Sequence, residues 1–323
     1  MAGRQPRTAA SVIDRLVDRV DAVGAPLCVG LDPVLERLPD ELVPRENIDP
    51  ATAISRFDEG VIDAVSGVAA AVKFQSACYE RHGAAGVDVL ARSIERANES
   101  GLITILDAKR GDIGISAKHY AHAARHALGA DAITLNAYLG PSSVEPFLEA
   151  GLAVFALVRT SNPDSDTVQA QPLARGGSVA DLLASVVRSV GAGHIGSSGL
   201  SACGAVVGAT KASLEETAGL RERMPDQVFL VPGIGAQGGR VSDLACMLRT
   251  NNAIAASPGT SGVLVTASRS VIYAFDTEAA NAQPSSIDAA ETEKKPRSWT
   301  DAVRNAALEL AAELRHLKAH DDG

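Results

Sequence analysis

Aromatic side chains and cysteines are scarce in this sequence of 323 residues. Only 3% of the residues are aromatic, which disfavours a surface built for stacking nucleic-acid bases. The cysteines, Cys28, Cys78, Cys203 and Cys246, lie far apart and form no C-x-x-C pair. We therefore expect them to be small buried side chains rather than parts of disulfides or of a zinc site.

Long apolar runs and basic blocks are also missing. No stretch approaches the roughly 18 apolar residues that a membrane-spanning helix needs. Arg4 and Arg7 lie near the N-terminus, but no apolar run follows them that could form the core of a signal peptide. The net charge is −9 and the basic residues form no long cluster, so a nucleic-acid partner is not expected. These absences predict a cytoplasmic protein that binds neither membranes nor nucleic acid.

What the sequence contains is a series of eight short apolar runs. Apart from Lys73 they are uncharged, which is typical of parallel strands covered on both faces. The runs span 27–31, 70–74, 103–106, 132–135, 154–158, 205–208, 228–231 and 262–265. Helical patterns lie between them, for example at 52–65, 84–98, 116–128 and 179–190.

This alternation predicts an α/β fold, a single (β/α)8 barrel of the TIM type. An open doubly wound sheet is the alternative, although no nucleotide-type glycine motif follows the first run. We expect the barrel core to span about 11–275, with a long loop at 162–177 on the catalytic face. A solvated connector at 276–298 and a helix at 299–318 that packs on the barrel complete the predicted domain.

Charge is concentrated where the third run ends, in the segment Asp107-Ala-Lys109-Arg110-Gly111-Asp112-Ile113. Asp107 and Lys109 are two residues apart, so in a strand their side chains share one face. In a barrel that face can point to the mouth, where active sites form. A lysine between two carboxylates stays protonated, which makes Lys109 a candidate general acid. The alternative interpretation is a strand that ends in solvated surface charges.

Two other features suggest ligands. The glycine-rich segment 233–239 follows the seventh run, and barrels often bind phosphate after strands seven and eight. Backbone amides of glycines approach a phosphate closely, and Arg269 would add a fork-shaped donor; an ordinary tight turn is the alternative. The spacing of His119, His122 and His126 could bind a metal, but a polar helix face is the favoured interpretation and no metal is expected.

The segment 107–113 resembles the D-x-K-x-x-D-I signature of orotidine 5′-monophosphate decarboxylases. Five more segments resemble motifs of that family in the same order along the chain. They are 29–32, 72–80, 159–163, 231–239 and 268–270. The segment 159–163 is similar to the motif of the longer bacterial subfamily, type 2.

The resemblance implies decarboxylation of orotidine 5′-monophosphate to UMP, in de novo pyrimidine biosynthesis, without metal or cofactor. It implies that Lys109 donates a proton to C6 of the pyrimidine and that Asp107 lies against the substrate carboxylate. Lys73, Asp107, Lys109 and Asp112 would form an array of alternating charge. Asp112 would reach the site of the neighbouring subunit in a homodimer.

The resemblance also implies a set of substrate-binding residues. Asp32 and Lys73 would hold ribose hydroxyls, with Ser116 near them. Ile113 would line the carboxylate side and Ser161 would contact the pyrimidine edge. The phosphate would be bound by Gln169 or Gln171 from the long loop, by the loop containing Gly235, and by Arg269.

Two other functions stay open at this point. Barrels with a D-x-K pair on the third strand also act on sugar phosphates with Mg²⁺, as aldol-type synthases or as decarboxylases of 3-keto sugar phosphates. Such enzymes fit the phosphate loop, but fit less well the segment 159–163 and the Asp112-Ile113 ending. A nucleotide-binding barrel without catalytic activity is the third hypothesis, and the presence of all four charged residues argues against it.

Overall fold

The computed structural model describes residues 8–43, 49–210, 212–234, 239–249, 257–276 and 298–317. Eight parallel strands each pair with the next, and the eighth pairs with the first, so the sheet closes into a barrel. The strands are β1 Leu27–Leu31, β2 Ala71–Gln75, β3 Ile103–Arg110, β4 Ala132–Leu135, β5 Ala153–Arg159, β6 Ser201–Val207, β7 Gln227–Pro232 and β8 Val263–Ala267. The predicted (β/α)8 barrel is confirmed, and the open sheet is excluded.

The strands are buried along nearly their whole length, as expected when helices cover the outside and side chains fill the inside. Two strands depart from the predicted bounds by more than two residues. β6 begins at Ser201 rather than at 205, because small residues hid its start from a search for apolar runs. β3 continues past 106 to Arg110, so Asp107 and Lys109 belong to the strand itself.

Helices occupy most of the connections between strands. They are α1 Ala9–Val23, α2 Pro50–Val65, α3 Ser76–Glu80, α4 Gly83–Glu99, α5 Gly114–His122, α6 Glu145–Glu149, α7 Asp166–Gln169, α8 Val179–Gly191, α9 Leu214–Arg223, α10 Arg269–Ile272 and α11 Trp299–Leu314. The helix predicted at 116–128 is interrupted, since α5 passes into a π-helical turn at Ala123–Ala127. The segment after β7 holds a 3₁₀ helix at Val241–Met247. The predicted loop 162–177 contains α7.

Helix α1, which the apolar runs did not reveal, closes the amino-terminal end of the barrel. Arg15 Nη1 lies 2.8 Å from Oδ1 of Asp131, just before β4. Asp14 accepts hydrogen bonds from the backbone and hydroxyl groups of Ser197 and Ser198, just before β6. The carboxyl ends of the strands therefore form the open end, which is where this fold carries its functional residues.

The C-terminal helix packs against α2 through its first residue. The ring of Trp299 stacks on Phe57 with centroids 5.3 Å apart. It fills a notch at Gly60, where a Cβ atom would collide with the indole ring. Most of the predicted connector, 277–297, and the last predicted helical residue, 318, lie outside the described residues. Across the described ranges, no helix has the length and apolar character needed to cross a bilayer.

The four cysteines are all free. Cys28 and Cys203 are buried in the barrel, whereas Cys78 and Cys246 are half-buried. Burial raises the pKa of the Cys28 and Cys203 thiols to about 12, so both stay protonated and unreactive.

A buried arginine secures the amino-terminal ends of β7 and β8. The guanidinium of Arg221, on α9, donates to the backbone carbonyls of Met224, Gln227, Met247 and Gly262 at 2.7–2.8 Å. It also lies 3.6 Å over the ring of Phe229. Burial, together with nearby Arg249, lowers its pKa to about 9. One planar side chain thus satisfies four carbonyls that come from three segments of the chain.

We predict that Arg221→Lys lowers the free energy of unfolding by about 3 kcal/mol, because a lysine cannot serve four carbonyls that diverge around a planar fork. Urea denaturation followed by circular dichroism measures the change. The matched control is Arg92→Lys, since Arg92 forms an exposed i,i+4 pair with Asp88, and its effect should stay within about 0.5 kcal/mol. Equal unfolding midpoints for the two variants would contradict the assigned role of Arg221.

Candidate active site

A buried carboxylate joins two lysines at the carboxyl ends of β2 and β3. Asp107 Oδ2 lies 2.7 Å from Nζ of Lys73, and Asp107 Oδ1 lies 2.6 Å from Nζ of Lys109. The pairing of β2 with β3 places Gln75 beside Asp107, so Lys73 reaches the carboxylate diagonally. Lys73 and Asp107 are buried, while the side chain of Lys109 is 47% exposed. Lys109 is therefore the lysine of the pair that a ligand at the barrel mouth would contact.

The backbone at Lys109 is unusual. Its φ of 46° is in the left-handed region, where it is the single non-glycine residue among those described, and the pairing of β3 with β4 is irregular between Leu106 and Arg110. The Lys109 amide donates to Oγ1 of Thr134 at 3.0 Å instead of to a strand carbonyl. Side-chain alternation in a regular strand correctly predicted that Asp107 and Lys109 meet, but the strand is bent there. Backbone strain of this kind is commonly found at functional sites.

Thr134, on β4, links the backbone of Lys109 to the carboxylate. Its hydroxyl donates to Asp107 Oδ1 at 2.8 Å while it accepts from the Lys109 amide. Thr134 was not among the site residues predicted from the sequence. The sequence does contain an indication, because Thr134 is a polar residue within the buried four-residue strand β4. A buried hydroxyl needs a hydrogen-bond partner.

The charges in this cluster stabilise one another. Burial alone would raise the pKa of Asp107, but Lys73 and Lys109 outweigh it and lower the pKa to about 2. Burial disfavours the charged form of Lys73, yet Asp32 and Asp107 outweigh it and raise the pKa of Lys73. Both groups are therefore charged throughout the neutral range.

Asp32 extends the cluster from the end of β1. Its Oδ1 atom lies 3.6 Å from Nζ of Lys73, and its Oδ2 atom lies 2.7 Å from the hydroxyl of Ser268. Within this chain the alternating array consists of Asp32, Lys73, Asp107 and Lys109. Asp112, predicted as a member, lies beyond the strand, where its Oδ1 accepts from the amide of Ile113 at 2.8 Å.

The other predicted residues are distributed around the barrel mouth. Ile113, Ser116 and Arg269 are exposed, and Arg269 is the first residue of α10. Ser161 is half-buried against Gly208, where a Cβ atom would approach Cβ of Ser161 to 2.9 Å. Gly235 lies outside the described residues.

The loop 162–177 is held to the barrel by two side chains. Gln169, at the end of α7, accepts from the Thr160 amide and donates to the Thr160 hydroxyl, both at 2.8 Å. Arg159, buried at the end of β5, donates to Asp166 at 2.6 Å and to Glu216 at 2.8 Å. Gln171 is exposed. No role was predicted for Arg159, although it belongs to the segment 159–163 that resembles a family motif.

The three histidines of α5 and the turn after it do not assemble a metal site. The rings of His122 and His126 lie 4.7 Å apart. No group of three His, Cys, Asp or Glu side chains with a geometry suited to a metal ion is found among the described ranges. The chemistry that the described side chains offer is proton transfer from Lys109 beside a fixed negative charge.

The comparisons with known proteins agree with this geometry. Residues 25–283 match the family described as Orotidine 5′-phosphate decarboxylase / HUMPS family. An orotidine 5′-phosphate decarboxylase of Rhodopirellula baltica is 36% identical, and the alignment covers 90% of this chain and 95% of that protein. One of Herpetosiphon aurantiacus is 40% identical, with 77% and 84% covered.

Solved structures share the fold. A protein of Streptomyces avermitilis is 31% identical with a TM-score of 0.74, and the match covers 98% of this chain and 97% of that one. The OMP decarboxylase of Leishmania donovani is 30% identical with a TM-score of 0.69, and the match covers 95% and 98%.

We predict that Asp107→Asn destabilises the protein in a pH-dependent way. The folded-state pKa of Asp107 is about 2, below its ordinary 3.8, so its contribution is complete above pH 5 or so and is lost as the pH falls towards 2. At pH 6 the free energy of unfolding of the variant should be about 2–3 kcal/mol lower than that of the wild type, and at pH 3 the difference should be about half as large. Urea titrations at both pH values measure it, and a difference that does not change with pH would contradict the assignment.

Proposed function

The chain belongs to the orotidine 5′-phosphate decarboxylase / HUMPS family, and we propose that it converts orotidine 5′-monophosphate into UMP and CO2 with Lys109 as the proton donor. The match over residues 25–283 and the curated relatives support the reaction. The observation that carries the mechanism is the Asp107 carboxylate held between Lys73 and Lys109. We place the reaction in de novo pyrimidine biosynthesis; a cytoplasmic location stays a prediction.

The cluster supplies what decarboxylation needs. When the bond between C6 and the carboxylate breaks, CO2 leaves and the electron pair stays on C6. An ammonium fixed beside that carbon stabilises the developing charge without reorganisation. Lys109 then transfers a proton to C6, which forms the C–H bond of UMP, and the neutral amine recovers a proton from water. Asp107, which stays ionised, would repel the substrate carboxylate placed against it.

The remaining residues would bind the parts of the substrate that do not react. Asp32 and Lys73 would hold the ribose hydroxyls, with Ser116 nearby, while Ser161 would contact the pyrimidine edge and Ile113 the carboxylate side. Gln169 and Arg269, with the loop containing Gly235, would bind the phosphate. Gln169 is favoured over Gln171 because its side chain already hydrogen-bonds to Thr160, the residue that follows β5. Binding energy from the phosphate can then act at the reacting carbon.

A homodimer would complete the site. Large apolar side chains are exposed in the neighbouring segments that follow β3 and β4, with Ile115 at 73% and Tyr138 at 76%, together with Ile113 and Leu139. Clustered apolar exposure of this kind marks a protein interface. Asp112 lies beside these exposed apolar residues. A two-fold axis through them would therefore place Asp112 of each subunit in the site of the other subunit.

We predict that purified protein removes the absorbance of orotidine 5′-monophosphate, and that EDTA leaves the rate unchanged. Lys109→Ala should lower kcat at least about a thousandfold, because it removes both the proton donor and the fixed positive charge, while UMP still binds. Arg92→Ala, which removes an exposed cation on α4 away from the barrel mouth, is the control and should keep the wild-type rate.

The alternatives give different results in the same assay. A rate abolished by EDTA would favour the Mg²⁺-dependent sugar-phosphate enzymes. UMP binding without turnover would favour a binding protein. Full decarboxylation by Lys109→Ala would refute the proton-donor role.

A complementation experiment tests the shared site. Lys109→Ala and Asp112→Ala chains should each be inactive alone. Each mixed dimer contains one site with both residues intact, so the purified mixed dimer should show about half of the wild-type activity. The two chains, carrying different tags, are co-expressed, and the mixed dimer is purified and assayed. If Asp112 acted within its own chain, the mixed dimer would be as inactive as its parents.

A further inference from the structure

The backbone of Asp32 is held by one buried tyrosine. Asp32 follows Leu31, the last residue of β1 that pairs with β2, so the sheet does not fix its position. Tyr273 comes shortly after α10, and its hydroxyl donates to the Asp32 carbonyl at 3.0 Å and accepts from the Val34 amide at 2.8 Å. Tyr273 is 1% exposed, so water does not compete for these bonds.

The carboxylate of Asp32 is held by a second residue from the same part of the chain. The Ser268 hydroxyl lies 2.7 Å from Asp32 Oδ2 and 3.0 Å from the Gly30 carbonyl, and can donate to either. This approach requires glycine at position 30, since a Cβ atom there would come within 2.9 Å of the Ser268 Cβ. Asp32 Oδ1 is buried 3.6 Å from Nζ of Lys73 and accepts no hydrogen bond within the described part of the chain. The Asp32 side chain as a whole is 30% exposed, so the carboxylate keeps acceptor capacity that a ligand can reach.

The ring of Tyr273 is itself fixed from two sides. The guanidinium of Arg37 lies 4.1 Å over the ring, and Arg37 is held by Asp276 at 3.1 Å. Phe57 stacks against Tyr273 with centroids 5.9 Å apart, and Trp299 stacks on Phe57 from the C-terminal helix. Rotation of the tyrosine away from Asp32 would break these contacts, so the hydroxyl is a rigid support.

We propose that Tyr273 and Ser268 are positioning residues for Asp32 and set how strongly the site selects a ribose over a deoxyribose. The inference rests on the proposed function, in which Asp32 accepts a hydrogen bond from a ribose hydroxyl. A carboxylate fixed in direction before the ligand arrives loses no freedom on binding, so it discriminates strongly for the hydroxyl that it faces. A carboxylate on a loosened turn would adapt, and its discrimination would fall.

The test measures by calorimetry the affinities for UMP, 2′-deoxy-UMP and 3′-deoxy-UMP. The ribose ratio is the affinity for UMP divided by the affinity for the analogue that lacks the hydroxyl recognised by Asp32. Asp32→Asn identifies that hydroxyl, because this variant lowers the ratio for the corresponding analogue. Tyr273→Phe, which keeps the ring and its stacking, should lower the same ratio about tenfold, the size expected for a hydrogen bond to a charged group. It should raise KM by a similar factor and change kcat less. Ser268→Ala should act in the same direction.

Two controls separate positioning from a general loss of stability. Tyr79→Phe also removes a buried tyrosine hydroxyl, which donates to Asp58 at 2.9 Å behind β2, and should leave the ribose ratio unchanged. In the Asp32→Asn background, Tyr273→Phe should have no further effect on the ratio, because the group that it positions is already altered.

The outcomes are distinguishable. A wild-type protein that does not decarboxylate orotidine 5′-monophosphate refutes the proposed function and this inference with it. An active wild type whose ribose ratio is unchanged in Tyr273→Phe refutes the positioning role of Tyr273 alone, and an unchanged ratio in Ser268→Ala refutes that of Ser268.

Discussion

The site depends on the neutralisation of the Lys73 ammonium inside the barrel. A buried ammonium without a partner would lose its proton or destabilise the fold. Asp32 and Asp107 flank it and keep it charged. Asp107 is in turn held by Thr134 and by Lys109. Each charge is tolerated because its neighbours carry the opposite sign, so Lys109 belongs to an array of alternating charges that begins inside the barrel.

Closure of the barrel makes this array possible. Its members lie on β2 and β3 and directly after β1, and Thr134 lies on β4, so four successive strands place their carboxyl ends side by side. The pairing of β8 with β1 brings Ser268 and Tyr273 to Asp32 across more than 230 residues of sequence. Helix α1 and Arg221 fix the opposite end of the barrel. The loops at the carboxyl ends of the strands can therefore change conformation while the strands keep the charged side chains in position.

The sequence predicted the parts of the site that depend on local spacing. The two-residue interval between Asp107 and Lys109 predicted that their side chains share one face, whereas the placement of Lys73 beside them came from the resemblance to the family. The left-handed backbone of Lys109 was not predictable, because it depends on a side chain of the next strand. Tyr273, Ser268 and Arg159 were missed as supporting residues since their partners are far along the chain or across a loop. A pattern along one strand carries no information about such contacts.

The exposure of Lys109 to water suggests how the proposed dimer would assist the reaction. Within one chain the array carries two negative and two positive charges, and the side chain of Lys109 at its end is 47% exposed. Water around that group weakens the field that it exerts on a carbanion. A partner subunit bound over the exposed apolar residues after β3 and β4 would displace this water and add the negative charge of its own Asp112. In the proposed dimer, proton donation and electrostatic stabilisation would both be strongest in the assembled enzyme, so the activity of this site would depend on the association of two chains.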